Sequence, residues 1–161
     1  MYHVRPAGAL DAMAIADLLN EIIARGGTTA MTEPVTKDSL QHFMTAFPGR
    51  AAWHLAEDDQ GEILGFQWVE PDVALPADAC DIATFTRLGR ARLGIGSMLF
   101  DHSRRAAKRL GYTWINATIR TDNADGLAYY QSRGFEDYKM EKGIVLDDGT
   151  VVDKISKRYR L

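Results

Sequence analysis

One cysteine in 161 residues, Cys80, leaves no partner for an intrachain disulfide and no thiol cluster for a metal. It lies in an apolar run and reads as a small buried hydrophobe rather than a nucleophile. No apolar stretch approaches the ~18 residues of a membrane span, and Met1 to Val4 leads straight into a strand pattern where a signal sequence would carry its apolar core. A cytoplasmic protein without membrane contact is the expectation. Positive charge is not in surplus either: 19 Lys and Arg stand against 22 Asp and Glu, a formal net charge of -3. That argues against the broad basic surface of a nucleic-acid binder. The histidines His3, His42, His54 and His102 are scattered without ligand-like spacing, so no metal site is expected. With 46% hydrophobic and 25% charged residues and no low-complexity segment, the chain should fold as one ordinary domain, residues 1–161.

What is present is clear periodicity. Tyr2 to Arg5 reads as a strand stopped by Pro6, and Ile15, Leu18, Leu19, Ile22 and Ile23 share one helical face from Asp11 to Arg25, ended by Gly26-Gly27. Thr36 can cap a second helix striped by Leu40, Phe43, Met44 and Phe47. Ala51 to Glu57 and Ile63 to Val69 flank the turn Asp58-Asp59-Gln60-Gly61 and predict a hairpin. A loop over Pro71 to Ala79 precedes a strand from Asp81 to Thr86. A third helix follows, with Ile95, Leu99, Ser103, Ala106 and Leu110 at helical spacing, and then a strand from Tyr112 to Ile119. Asp122 or Asn123 can cap a fourth helix reaching Arg133, and a hairpin of Tyr138 to Leu146 and Val151 to Arg160 closes the chain. The order β-α-α-β-β-β-α-β-α-β-β predicts an α/β (α+β mixed) fold, one mixed sheet of about seven strands flanked by about four helices.

The informative stretch is Arg90 to Phe100, Arg-Ala-Arg-Leu-Gly-Ile-Gly-Ser-Met-Leu-Phe, which joins a strand to a helix through two glycines. Free N–H groups and the helix dipole converge at such a turn, so a phosphate or pyrophosphate is its natural ligand. A P-loop does not fit, because Ile95 and Gly96 stand where Lys and Ser or Thr belong. A dinucleotide fingerprint does not fit either, since Leu99 holds the place of its third glycine and a hairpin, not an early βαβ unit, precedes it.

A second block decides between the alternatives left. Asn123 is followed by Tyr130 at seven, Gly134 at eleven and Phe135 at twelve residues further on. With Arg92-Leu93-Gly94-Ile95-Gly96-Ser97 this resembles the GNAT superfamily of acyl-CoA-dependent N-acyltransferases, and the element order matches from Tyr2 to Leu161. Thr32-Glu33-Pro34 and the C-terminal hairpin make it most similar to phosphinothricin-acetyltransferase-like members. Two positions depart from the pattern: Ala91 replaces the usual Gln or Arg, and Gly126 the usual small Ala.

The resemblance implies a GNAT-like single domain that moves acetyl from acetyl-CoA, the acyl donor substrate, to the primary amine of a small molecule such as an amino acid, by direct attack in a ternary complex. A protein or peptide N-terminus as acceptor, or a non-catalytic acyl-CoA-binding regulatory module, are the other readings. It implies Asp81 as general base acting through water, against a surface or salt-bridged Asp, and Tyr130 as the acid for the leaving thiolate, against a plain core aromatic. Tyr129 should face elsewhere. Backbone groups of Thr84, Phe85 and Thr86 would pair with the pantetheine arm, the amides of Leu93, Gly94, Ile95, Gly96 and Ser97 would hold the pyrophosphate, and Arg87, Arg90 and Arg92 would form a basic cluster beside them. Asn123 reads as a helix cap, a pantetheine contact, or both. The loops over Gly26 to Pro34 and Pro71 to Ala79 and the C-terminal hairpin would wall the acceptor. Gly96→Val is expected to raise the KM for acetyl-CoA and spare the fold. Close relatives often pair, so a homodimer is a further expectation.

Overall fold

The computed structural model describes residues 1–89 and 94–161. Seven strands and four helices follow in chain order: β1 (Tyr2–Pro6), α1 (Ala12–Arg25), α2 (Lys37–Thr45), β2 (Ala52–Asp58), β3 (Ile63–Glu70), β4 (Ala79–Thr86), α3 (Ile95–Arg109), β5 (Trp114–Arg120), α4 (Ala124–Ser132), β6 (Glu136–Val145) and β7 (Val151–Arg160). They build one sheet in the order β1-β2-β3-β4-β5-β7-β6. Only the β4–β5 pair is parallel, because α3 must carry the chain back across the sheet between them. The mixed sheet expected from the element order is the one observed.

Each face of the sheet has its own core. Ile15, Leu18, Leu19, Ile22 and Ile23 of α1 pack with Trp53, Leu55, Phe66 and Phe85 on one side. On the other, Phe100 and Ala107 of α3 and Tyr130 of α4 meet Val69, Cys80, Ile82, Ile115, Ala117 and Ile119. Alternation along each strand assigns the side chains, so Glu70, Asp81, Ala83, Phe85 and Asn116 face α1, while Gln67, Thr84 and Ile82 face α3 and α4.

Local chemistry explains most element ends. Thr36 caps α2 in a reciprocal box with Ser39, its Oγ1 accepting from Ser39 N–H (3.0 Å) while Ser39 Oγ accepts from Thr36 N–H (2.9 Å). The expected stripe of α2 is only half right. Leu40 is fully buried and Met44 packs against the same core, but the helix ends at Thr45, and Phe43 and Phe47 are exposed. β4 begins two residues before the expected start, at Ala79, and both Ala79 and Cys80 are buried. No described helix is long and apolar enough to cross a membrane.

Candidate functional site

β4 and β5 pair only at Ala79↔Trp114, Cys80↔Ile115 and Asp81↔Asn116, although β4 runs on to Thr86 and β5 to Arg120. Beyond Asp81 the two strands part. The bond from Arg87 N–H to Leu64 O (2.7 Å) sets the alternation of β4, so Phe85 turns its backbone to β3 while Ile82, Thr84 and Thr86 turn theirs to the gap. An open strand edge is a ready partner for an extended amide chain. The gap widens into a cleft of about 1230 Å³ that reaches both faces of the sheet. Of the three residues expected to offer backbone groups there, Thr84 and Thr86 do, whereas Phe85 stacks its ring on Phe66 at 4.9 Å.

The α3 end of the cleft carries the helix N-terminus. Gly94 sits at φ 76°, a left-handed conformation that glycine adopts without strain, and caps α3. Met98 N–H is the first to close onto it, at Gly94 O (3.2 Å), so the preceding amides of Ile95, Gly96 and Ser97 are the first-turn donors that an α-helix leaves over. The Ile95 side chain is fully buried with Ala56, Leu64 and Leu99, which leaves only its amide for a ligand. Arg92 and Leu93, with Arg90 and Ala91, lie outside the described residues. Arg87 is not a free cation, since it pairs with Glu21 (3.2 Å) and Glu62 (3.1 Å) and donates to Ile63 O. That removes it from the expected basic cluster.

Both tyrosines of α4 meet this end, which corrects the expectation that Tyr129 faces elsewhere. Their rings are in edge contact at 4.9 Å. Tyr129 donates its hydroxyl proton to Gly96 O (2.7 Å), and the Tyr130 hydroxyl lies 2.8 Å from Thr84 Oγ1. Burial raises both phenols, Tyr129 to about 12 and Tyr130 further, so both are protonated at neutral pH. A Cβ on Gly96 would lie 2.6 Å from the Tyr129 ring. Gly96→Val therefore strikes a packed aromatic, and the expectation that it spares the fold does not hold.

On the α1 face the cleft is lined by Asp81, Asn116, Thr118, Tyr138 and Lys154. Asn116 donates from Nδ2 to Asp81 Oδ1 (2.9 Å) and to Thr118 Oγ1 (3.0 Å), and it accepts from the Tyr138 hydroxyl. Burial pushes the Asp81 carboxyl up to about 7, with the Asn116 bond opposing the shift and Asp72 adding to it. Glu70, its cross-strand partner on β3, is also raised to about 7, by burial and then by Asp81 and Asp72. The Lys154 ammonium draws Asp81 slightly the other way. Among the described residues Lys154 has no ion-pair partner.

Two side-chain bridges hold the Gly26 to Pro34 loop over this mouth. Arg120 grips Asp122 through Nε (2.9 Å) and Nη2 (2.7 Å) and donates from Nη1 to Thr29 O (3.1 Å). Asn123 accepts from Gly126 N–H (3.0 Å), the helix cap expected of it, and donates to Thr28 O (3.1 Å). A Cβ at Gly126 would come 2.5 Å from the Asn123 amide nitrogen, so this departure from the family pattern makes room for the cap. The three expected wall segments do line the cleft, through Thr28, Met31, Asp72, Leu75, Tyr138 and Ile144 among others. Of the tryptophans, Trp53 is core, whereas Trp68 and Trp114 reach the cleft.

A model of the acetyltransferase (GNAT) family matches residues 19–135. The chain belongs to that family. It is accordingly an acetyl-CoA-dependent N-acetyltransferase. Phosphinothricin N-acetyltransferase of Streptomyces viridochromogenes is 25% identical over 134 residues, 82% of this chain and 73% of that one. A crystal structure provisionally named a phosphinothricin N-acetyltransferase superposes with a TM-score of 0.86 at 26% identity, covering 100% of this chain and 99% of that one. A GNAT superfamily phosphinothricin acetyltransferase from Sinorhizobium meliloti, solved with acetyl-CoA, shares the fold at a TM-score of 0.89 and 19% identity, over 99% of this chain and 88% of that one.

Within this acetyltransferase the open edge of β4 and the first turn of α3 suit an acyl-CoA, an amide-bearing arm ending in phosphates. Among the described residues no group of three or more His, Cys, Asp or Glu side chains is placed to hold a metal. Sequence reasoning passed over Gln67 and Glu70. A lone Gln inside the apolar run Ile63 to Val69 was the available signal, because a buried amide requires partners. Glu70 gave none, since only strand register sets it opposite Asp81.

Proposed function

We propose that the enzyme acetylates the primary amine of a small amino acid or amino-acid analogue by direct attack in a ternary complex. One observation carries this reading: the α1 face of the cleft holds a proton-accepting carboxyl, Asp81, and an ammonium without an ion-pair partner, Lys154. A zwitterionic acceptor offers an ammonium to the first and a carboxylate to the second. The names of the relatives point the same way, since phosphinothricin is an amino-acid analogue.

Asp81 takes the proton from the acceptor ammonium, directly or through water, and the amine nitrogen then bonds to the thioester carbonyl carbon. The C–S bond breaks as that bond forms, Tyr130 gives its phenolic proton to the departing thiolate, and the proton the nitrogen sheds in becoming the amide returns to the phenolate, directly or through water. Backbone groups of Thr84 and Thr86 pair with the pantetheine arm and polarise the carbonyl, while the amides of Gly94 to Ser97 face the pyrophosphate. Arg92 and Leu93 keep the donor-binding role that the family pattern implies for them. Asn123 acts here through the helix cap and the loop.

CoA release over a panel of amino acids, decarboxylated amines and short peptides tests the reading. Turnover should require both an amine and a nearby carboxylate, and Lys154→Met should raise the KM for the acceptor about tenfold with the KM for acetyl-CoA unchanged. Turnover of decarboxylated amines or peptides in preference to amino acids would overturn the substrate class. Full turnover by Tyr130→Phe would remove the acid role.

A further inference from the structure

Gln67 is fully buried on the central strand β3, and register places it directly between His54 on β2 and Thr84 on β4. These three polar side chains form a row across a sheet face that is otherwise apolar. The Gln67 amide donates from Nε2 to Thr84 Oγ1 (2.8 Å) and to Tyr129 Oη (3.1 Å). One residue thus touches the hydroxyls that meet both ends of the donor site.

One fixed acceptor settles the orientation of the Gln67 amide in this row. Gly96 O can only accept, so the single proton of Tyr129 points at it. Tyr129 Oη must then accept from Gln67, which requires a nitrogen at that position and settles the orientation of the amide. The same nitrogen donates its second proton to Thr84 Oγ1. Thr84 Oγ1 in turn lies 2.8 Å from Tyr130 Oη, either hydroxyl being able to donate, and it is in hydrogen-bonding contact with the Tyr129 hydroxyl as well. The Tyr130 hydroxyl is thus held by the row at the wall of the cleft.

We propose that Gln67 is a positioning residue that holds the Thr84 and Tyr129 hydroxyls and, through Thr84, fixes the Tyr130 phenol at the wall of the cleft. This rests on the reading of Tyr130 as the acid. Without the Gln67 donor, Thr84 Oγ1 and Tyr129 Oη lose the bonds that fix them, and the Tyr130 hydroxyl resting on Thr84 is no longer held toward the leaving sulfur. Gln67 Oε1 and His54 Nδ1 are the two buried polar atoms the row leaves unpaired, and both lie on the side away from the cleft. Burial, and then the charges of His102, Arg109 and Arg105, hold the His54 ring neutral, with its pKa down to about 4.

The test is a double-mutant cycle of Gln67→Met, close in length and shape but without a donor, with Tyr130→Phe. Gln67→Met should lower kcat about tenfold, leave the KM for acetyl-CoA within about twofold, and cost nothing further in the Tyr130→Phe background. An equal loss of kcat in both backgrounds, or no loss in either, overturns the role of Gln67. If Tyr130→Phe alone is fully active, the acid assignment fails instead, and the two failures are told apart by that single variant. Should Gln67→Met not fold, Tyr129→Phe carries the same test, since it removes the proton that fixes the amide. A kcat loss of about fivefold that vanishes on Tyr130→Phe supports the row, and a loss that persists there overturns it.

Discussion

Replacing Asp81 by Asn removes one charge from the cleft and keeps an oxygen to accept the Asn116 bond. The carboxyl moves from 3.8 to about 7 on folding, mainly through burial. At about 1.4 kcal/mol per pH unit that gap is worth about 4 kcal/mol, reduced to about 2 kcal/mol because Glu70 titrates with it and the cleft admits solvent. The sign follows from where the proton resides. A carboxyl raised in the folded state contributes stability that is fully present below its unfolded value and is lost as pH rises through about 7. Wild type and Asp81→Asn should therefore melt alike near pH 4, and the variant should melt about 4–8 °C higher above pH 8. His54 acts in the opposite sense, losing stability as pH falls from 6.5 towards about 4, but it is common to both proteins and cancels in the difference. Thermal denaturation of the pair at half-unit steps of pH measures this directly. In the same series kcat/KM of the wild type should rise through about pH 7, and the variant should lose about 100-fold or more together with that inflection. A stability difference that does not grow with pH would refute the buried carboxyl, and a variant with full turnover and the wild-type pH profile would refute the base.

Gly96→Ala should cost about 1–3 kcal/mol and raise the KM for acetyl-CoA several-fold, because the Tyr129 ring cannot withdraw from the new Cβ without breaking its bond to Gly96 O. An unchanged melting temperature together with an unchanged KM would show that the ring moves freely. Gly126→Ala should not deliver the usual gain of up to about 1 kcal/mol for Ala in a helix, since displacing the Asn123 cap costs about as much. Limited proteolysis should then cut the Gly26 to Pro34 loop faster, as the Asn123 bond to Thr28 O is lost with the cap. Cys80, fully buried and with its thiol pushed up to about 12, should resist alkylation in the native enzyme and react fully in denaturant, which mass spectrometry would follow.

Local pattern and short-range chemistry were enough for the elements and the family. Apolar periodicity marked α1 and α3, turn residues such as Asp58 to Gly61 and Asp147 to Gly149 marked the hairpins, and Gly94 and Asn123 marked helix starts, because each acts within a few residues of itself. The Asn123, Tyr130, Gly134 and Phe135 block marked the family for the same reason: its spacing belongs to one helix and its exit. The placement of Asp81 in a wall was legible too, though not its partner.

Tertiary structure alone decided how these parts meet. No local pattern tells β4 and β5 to part after Asp81↔Asn116, since that depends on how far β7 and α4 hold β5 away from β4. The register of β3 on β4 puts Glu70 opposite Asp81 and Gln67 beside Thr84, residues 11 and 17 positions apart. Arg87, positive in the sequence and counted toward a phosphate cluster, is paired with Glu21 of α1 and Glu62 of the turn between β2 and β3. Proton affinity at this site is set by burial and by neighbours brought in from distant strands. The sequence by itself therefore determined which groups could do the chemistry, and the packing of the sheet decided which of them face the cleft.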